Sequence, residues 1–149
     1  MNTQPKKFLI FYILDILKRC TDEDHRLSQK QIGEILEREY EMKADRKSIR
    51  RNLLDLIDLG YDVGCSQSVR VKPDGEEEVL LTDWYLNQEF TNSELRILID
   101  GLLFSKHIPY RQCRELVEKL EGLSSQHFRA RVRHIAALPQ NRPDNRQLF

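Results

Sequence analysis

Four cations, Arg46, Lys47, Arg50 and Arg51, crowd into six positions with Ser48 among them. On a helix these positions fan over one side and present forked guanidinium and mobile ammonium donors, the equipment for gripping a polyanion. A helix N-terminus favours negative charge, so cations in the first two turns are a poor choice unless an anionic partner comes to them. The plainer alternative is a solvated charged face. No other grouping points to chemistry: there is no Gly-rich phosphate loop and no nucleophile motif. His25, His107, His127 and His134 stand without metal-ligand partners or a carboxylate at suggestive spacing, and read as surface or packing residues. The chain is accordingly read as a non-enzyme with no metal and no cofactor. Glu37, Glu39 and Glu41 form a solvated acidic face, Cys113 a small core residue, and Cys65, after the basic helix, an exposed thiol whose sharper reading is redox sensing.

The elements that must hold these cations are marked in the sequence. Ile49, Leu53, Leu56 and Ile57 recur at helical spacing beneath them, Asp45 stands where an N-cap acceptor is wanted, and Gly60 where a left-handed residue ends the helix. Ser28 and Gln31 make a capping box that opens a helix through Ile32, Ile35 and Leu36 to about Tyr40. Only Glu41 to Ala44 separate the two, which is the organisation of a helix-turn-helix. Upstream, residues 6–20 predict a helix apolar almost all round, with Leu9, Ile13, Ile16 and Leu17 on one stripe. Such a helix is buried between layers, and the preferred reading is the central core helix; the sharper alternative is that Phe11 and Tyr12 help form a dimer interface. TDEDHR then makes a polar connection.

Downstream, Tyr61 to Val71 and Glu76 to Leu86 alternate about the turn Lys72-Pro73-Asp74-Gly75, predicting a β-hairpin. Directly after a recognition helix such a hairpin is a wing. Arg70 and Lys72 are placed to approach phosphates, while Asp74, Glu76, Glu77 and Glu78 at its tip repel them. Thr91 and Glu94 form a second capping box. It opens a helix with Leu95, Leu98, Ile99, Leu102 and Leu103 inward, Ile108-Pro109 breaks it, and Cys113, Leu116, Val117, Leu120 and Leu123 line the next. These two make an antiparallel helical hairpin. From Ser124 onward the chain reads as weakly structured and basic. The fold expected is mainly α with a small β-hairpin: a winged helix-turn-helix over 1–87, a helical linker or dimerisation region over 88–128, and a basic tail over 129–149.

Charge is unevenly spread although 24 basic and 24 acidic residues cancel. Basic residues lead 14 to 12 over residues 1–72, trail 5 to 11 over 73–124 and lead 5 to 1 over 125–149. With 40% hydrophobic and 32% charged residues, the composition is that of a globular protein. The three cysteines are far apart, odd in number and without metal-ligand spacing, which argues against a disulfide framework or zinc site and fits a reducing cytoplasm. No apolar run approaches membrane-spanning length.

The run Ser48, Ile49, Arg50, Arg51, Asn52, Leu53, then Leu56, Gly60 and Tyr61, resembles the signature of the winged helix-turn-helix in DeoR-like bacterial transcriptional regulators, with Asn52 where that family has an acid. The resemblance implies an intradomain ion pair at that acid, and the exchange bears on that pair more than on DNA binding. The helical pair beginning FTNSELRILIDGLLFSKHIP, with the later RELVEKLEGLSSQHF, resembles the linker of WYL-domain regulators. The resemblance implies a β-rich sensor domain of SH3-like or Sm-like fold after the linker. The chain stops where that domain begins, so it is read as the N-terminal portion of a longer regulator or a protein lacking its sensor, with the effector bound by the missing part. The tripeptide Trp84-Tyr85-Leu86 lies on the wing side and is not the family's eponymous motif.

The expectation is a sequence-specific binder of double-stranded DNA in the cytoplasm, associated with the nucleoid, and working as a homodimer. Its second helix, 46–59, enters the major groove. Ser48 and one or two of Arg46, Lys47, Arg50 and Arg51 read base edges; the others, with Gln29, Lys30, Arg70 and Lys72, hold phosphates. The apolar surplus of both the first helix and the linker hairpin qualifies either as dimer interface. The alternative is a winged helix used for protein contact, docking through its acidic wing and linker.

Overall fold

The computed structural model describes residues 5–128; among them the chain is mainly helical with one two-stranded antiparallel sheet. It divides into two compact units, Met1–Asn87 and Gln88–Phe149. The first carries α1 (Leu9–Cys20), led in by a tight turn at Lys6–Phe8, then α2 (Gln29–Tyr40), α3 (Arg46–Asp58), β1 (Val63–Val71) and β2 (Glu77–Leu86). The second carries α4 (Asn92–Leu103) and α5 (Tyr110–Glu121).

One core serves the first unit. Ile13, Ile16 and Leu17 of α1, Ile32 and Leu36 of α2, Ile49, Leu53 and Leu56 of α3, and Trp84 of β2 are almost wholly removed from solvent. The stripe predicted on α1 is the buried one. The helix is nevertheless not enclosed on its other faces: α2, α3 and β2 pack on one side of it, leaving Phe8 and Phe11 outside, Phe11 66% exposed. Tyr12 stacks on Tyr40 with ring centroids 4.6 Å apart, so half of the expected dimer contact is spent inside the unit. Beside that stack, Arg19 of α1 donates to Asp15 at 3.2 Å and to Glu39 and Tyr40 of α2 at 3.0 Å each. Glu39, expected on a solvated acidic face, is therefore the second helix's tie to the first.

The hairpin pairs Val63 with Leu86 and Val71 with Glu77, and a register irregularity falls between Gly64 and Ser66. The ring of Tyr85 lies over Gly64, where a Cβ would come within 2.4 Å of it, and Asp83 takes a left-handed φ of 55°. Arg26 stacks on the same ring, its guanidinium 4.2 Å from the Tyr85 ring centre and bonded to Ser66 Oγ at 3.2 Å. Only the base of the hairpin meets the core, through Val63, Cys65, Leu81, Trp84 and Leu86. Farther out, Val69, Val71 and Val79 are 50–67% exposed, so their alternation marks one face of the ribbon rather than a buried one.

The short stretch TDEDHR is more than a polar connection. Asp22 Oδ1 accepts from the Asp24 and His25 backbone N–H groups and contacts His25 Nδ1 at 2.8 Å, so His25 does have a carboxylate partner, supplied by a local turn. Leu27 then bridges to Trp84 in both directions. Thr21 joins helix to sheet: wholly buried, its hydroxyl donates to the Leu17 carbonyl at 2.6 Å and accepts from Leu86 N–H at 3.0 Å.

In the second unit Leu95 and Ile99 of α4 close on Cys113 and Val117 of α5 and on Phe128. The Thr91–Glu94 capping box forms as predicted. Leu98 and Leu123, expected inward, are 43% and 42% exposed: Leu98 lies one step round α4 beyond the covered flank, and Leu123 falls in the turn after α5 has ended at Glu121. Cys113 is a buried core residue, its thiol donating to the Leu102 carbonyl at 3.2 Å. The region after Ser124 was expected to be loose, yet Ser124, Ser125 and Phe128 are buried, with Ser124 Oγ bonded to Asn92 at 2.9 Å. The basic segment 129–149 and His134 lie outside the described residues.

Replacing Thr21 by valine keeps the shape but strips the Leu86 N–H of its acceptor in a dry setting. Chemical denaturation of the Thr21→Val protein is expected to show a loss of about 1–3 kcal/mol; an unchanged midpoint would mean the hydroxyl does not bridge α1 to β2.

Candidate nucleic-acid interface

The cation cluster is built on α3, and both ends of that helix are fixed by the chemistry its sequence provides. Asp45 is the N-cap, its carboxylate accepting from Ser48 N–H at 2.7 Å. At the other end Gly60, with φ 104°, donates to Ile57 and Tyr61 to Leu56, the paired bonds of a Schellman ending. Asn52 donates to the Ser48 carbonyl at 2.7 Å, one turn back, a bond within the helix. Ile49, Leu53 and Leu56 are buried as predicted. Ile57 is 39% exposed: it stands past the flank covered by α1 and α2 and is not part of the underside.

Above that underside Arg46 and Arg50, one turn apart, line an open recess of about 430 Å³ with Ser28, Gln29 and Lys30 at the start of α2 and Leu80, Leu81 and Thr82 of β2. Four of the residues singled out from the sequence, Gln29, Lys30, Arg46 and Arg50, thus meet in one place. The α2 start is held by its capping box, Ser28 N–H donating to Gln31 Oε1 at 2.8 Å and Gln31 N–H to Ser28 Oγ at 3.1 Å. Lys47 and Arg51 are exposed on the next row round α3, outside the recess, and Ser48 is half-buried. No carboxylate comes within ion-pair distance of Arg46, Lys47, Arg50, Arg51 or Lys30 among the described residues. The guanidinium ridge is not folded back onto neighbouring glutamates.

The hairpin candidates fare differently. Arg70 faces Glu78 across the ribbon and binds it at 3.0 Å, so its charge is already matched. Lys72 stands at the turn, where its backbone closes the loop with Glu76 and Gly75, beside the acidic tip. Neither lines the recess. Leu80, Leu81 and Thr82 were not anticipated as part of the site; their place follows only from the hairpin folding back beside α2, which no local spacing records. Arg26 was also missed, because its role depends on Tyr85 and Ser66 far along the chain.

Cys65 is only partly accessible and its thiol pKa is raised by burial, a rise that Arg26 and Arg50 oppose without cancelling. A neutral thiol is a poor sensor of oxidants, which counts against the redox reading. No helix among the described residues is long and apolar enough to cross a membrane. Comparison with family models, with curated proteins and with solved structures found no match.

The Asp45 carboxylate has its pKa lowered by the backbone N–H of Ser48, with Arg51 and Lys47 adding to the effect. A group depressed in the folded state stabilises it above the ordinary carboxylate pKa and loses that contribution as pH falls through the depressed value. Melting temperatures of wild type and Asp45→Asn, which keeps a capping acceptor but cannot titrate, are therefore expected to converge on acidification through the carboxylate range. A constant difference at all pH values would place the shift elsewhere.

Proposed function

We propose that the first unit is a winged helix-turn-helix that binds double-stranded DNA sequence-specifically, as in the DeoR-like, WYL-domain type of transcriptional regulator, acting without catalysis or cofactor. The observation that carries this reading is the convergence of Gln29, Lys30, Arg46 and Arg50 on one recess with no carboxylate, among the described residues, in reach of the guanidinium groups. In the proposed complex α3 enters the major groove with its N-terminal residues foremost. Arg46, Arg50 and Ser48 meet base edges, Arg taking guanine O6 and N7 through two parallel bonds. Lys47, Arg51, Lys30 and Gln29 hold the phosphates on either side and fix the register. Arg70 has a minor part, since its partner Glu78 must first be displaced.

The wing favours a second reading, docking on another protein: Glu76, Glu77 and Glu78 at its tip adjoin the exposed valines Val69, Val71 and Val79. The two readings part on salt. A DNA binder is retained on heparin and on duplex DNA and leaves with rising salt, because each phosphate contact releases counterions; a protein-docking module leaves both at low salt.

Titration against a site selected from a random duplex library tests the assignment by residue. Arg46→Ala or Arg50→Ala is expected to lose about 1–3 kcal/mol at a single base position, and Lys30→Ala to flatten the salt dependence by about one phosphate contact at every sequence. Arg70→Ala is expected to change little. Unaltered affinity and salt slope in Arg46→Ala, Arg50→Ala and Lys30→Ala alike would overturn the proposal.

A further inference from the structure

The recess formed by the start of α2, by α3 and by β2 is built of two chemistries. Its volume of about 430 Å³ lies within the range of small-molecule sites, about 300–1,000 Å³. The helices supply charge: Lys30, Arg46 and Arg50 line it, and among the described residues no carboxylate pairs with any of them. The first turn of α2 adds no acid of its own, so its positive dipole end is not offset there. The strand supplies aliphatic surface through Leu80 and Leu81, both half-buried. Leu81 packs on the core of the first unit, whereas Leu80 is not among the core's side chains. A duplex backbone satisfies the cations but brings nothing apolar to these leucines.

We propose that the recess binds a small phosphate monoester with an apolar body, the phosphoryl group among Lys30, Arg46 and Arg50 and the body along Leu80 and Leu81. A phosphoryl head carries nearly two negative charges at neutral pH and three acceptor oxygens, which suits two forked guanidinium groups and one mobile ammonium. A neutral apolar molecule leaves the cations unmatched, and inorganic phosphate leaves the leucines wet. The regulatory consequence rests on the DNA binding proposed above: the same three cations contact the duplex, so ligand and duplex exclude one another. A ligand of this kind therefore controls DNA binding from within the first unit. At ten times its dissociation constant it lowers the affinity for duplex about elevenfold.

Phenyl phosphate is the probe, with inorganic phosphate and phenol as its two halves, all at one ionic strength because duplex binding follows salt. Titration of the full chain, followed by its backbone amide resonances, is expected to shift Gln29 and Lys30. Phenyl phosphate is expected to bind about tenfold more tightly than inorganic phosphate, and phenol not to bind. Leu80→Gln and Leu80→Ala are expected to remove most of that advantage while melting stays as in wild type, and Arg50→Ala to weaken phenyl phosphate about tenfold or more. Phenyl phosphate is also expected to release the selected duplex at concentrations where inorganic phosphate does not. Equal affinity for the two phosphates, amide shifts that spare Gln29 and Lys30, an advantage that survives both Leu80 variants, or a duplex complex untouched by saturating phenyl phosphate each overturn the proposal. Binding of duplex without binding of phenyl phosphate overturns this site and leaves the DNA reading standing; binding of phenyl phosphate in the expected manner with no duplex ever selected upholds the site and overturns the DNA reading.

Discussion

The arrangement depends on the dryness of the underside of α3. Ile49, Leu53 and Leu56 are each no more than 1% exposed, and burying an aliphatic side chain of this size contributes about 1.5–3 kcal/mol. Against that stands the cost of four cations at the positive end of the helix dipole, about 0.3–1 kcal/mol each at exposed positions. The apolar contribution is the larger even at the low end of its range against the high end of the cost. The helix can therefore carry an arrangement of charge that would weaken it in isolation. The same packing removes α3's freedom to roll, which fixes where Arg46 and Arg50 stand relative to α2 and β2.

Legibility in the sequence followed the range of the interaction. The caps at Asp45, Ser28 and Thr91, and the Gly60 ending, involve residues within five positions of one another, and each formed where the spacing placed it. Inward faces were legible along their centre lines and failed at the margins: Ile57 and Leu98 have the right residue type and period, but whether a marginal position is covered depends on the neighbouring element, and Leu123 falls beyond the end of α5. Phe8 and Phe11 failed for the same reason. The site divides similarly. Its cations were visible as a cluster, whereas the walls supplied by Leu80, Leu81 and Thr82, the Arg26 contact and the Thr21 bridge join residues tens of positions apart and leave no local trace.

The treatment of arginines separates structure from recognition. Arg19 is matched to Asp15, Glu39 and Tyr40; partial burial works to lower its pKa, but the bonds from Glu39 and Tyr40 outweigh this and hold the guanidinium charged. Arg70 is matched to Glu78, and Arg26 is committed to Tyr85, Ser66 and the Glu23 carbonyl. Exposed ion pairs contribute only about 0–1 kcal/mol each, so these matches say less about stability than about availability. Among the described residues the cations of α3 make no ion pair, and two of them, Arg46 and Arg50, line a concave surface.

A chain of zero net charge can still present a strongly positive site, because charges at a solvated surface act over a limited distance. At physiological ionic strength that distance is about 8 Å. The acids of α3 itself, Asp55 and Asp58, lie along an axis that rises about 1.5 Å per residue, so Asp58 is about 18 Å and Asp55 about 14 Å beyond Arg46. Both are largely screened from it. Arg51 is one turn, about 6 Å, from Asp55 and feels it more. Asp45, the nearest acid to the ridge, is held by Ser48 N–H at the cap. Within the helix the positive field is thus strongest in the first turns, where Arg46 stands beside Lys47, and weakens toward the C-terminal end, where the backbone turns away at Gly60.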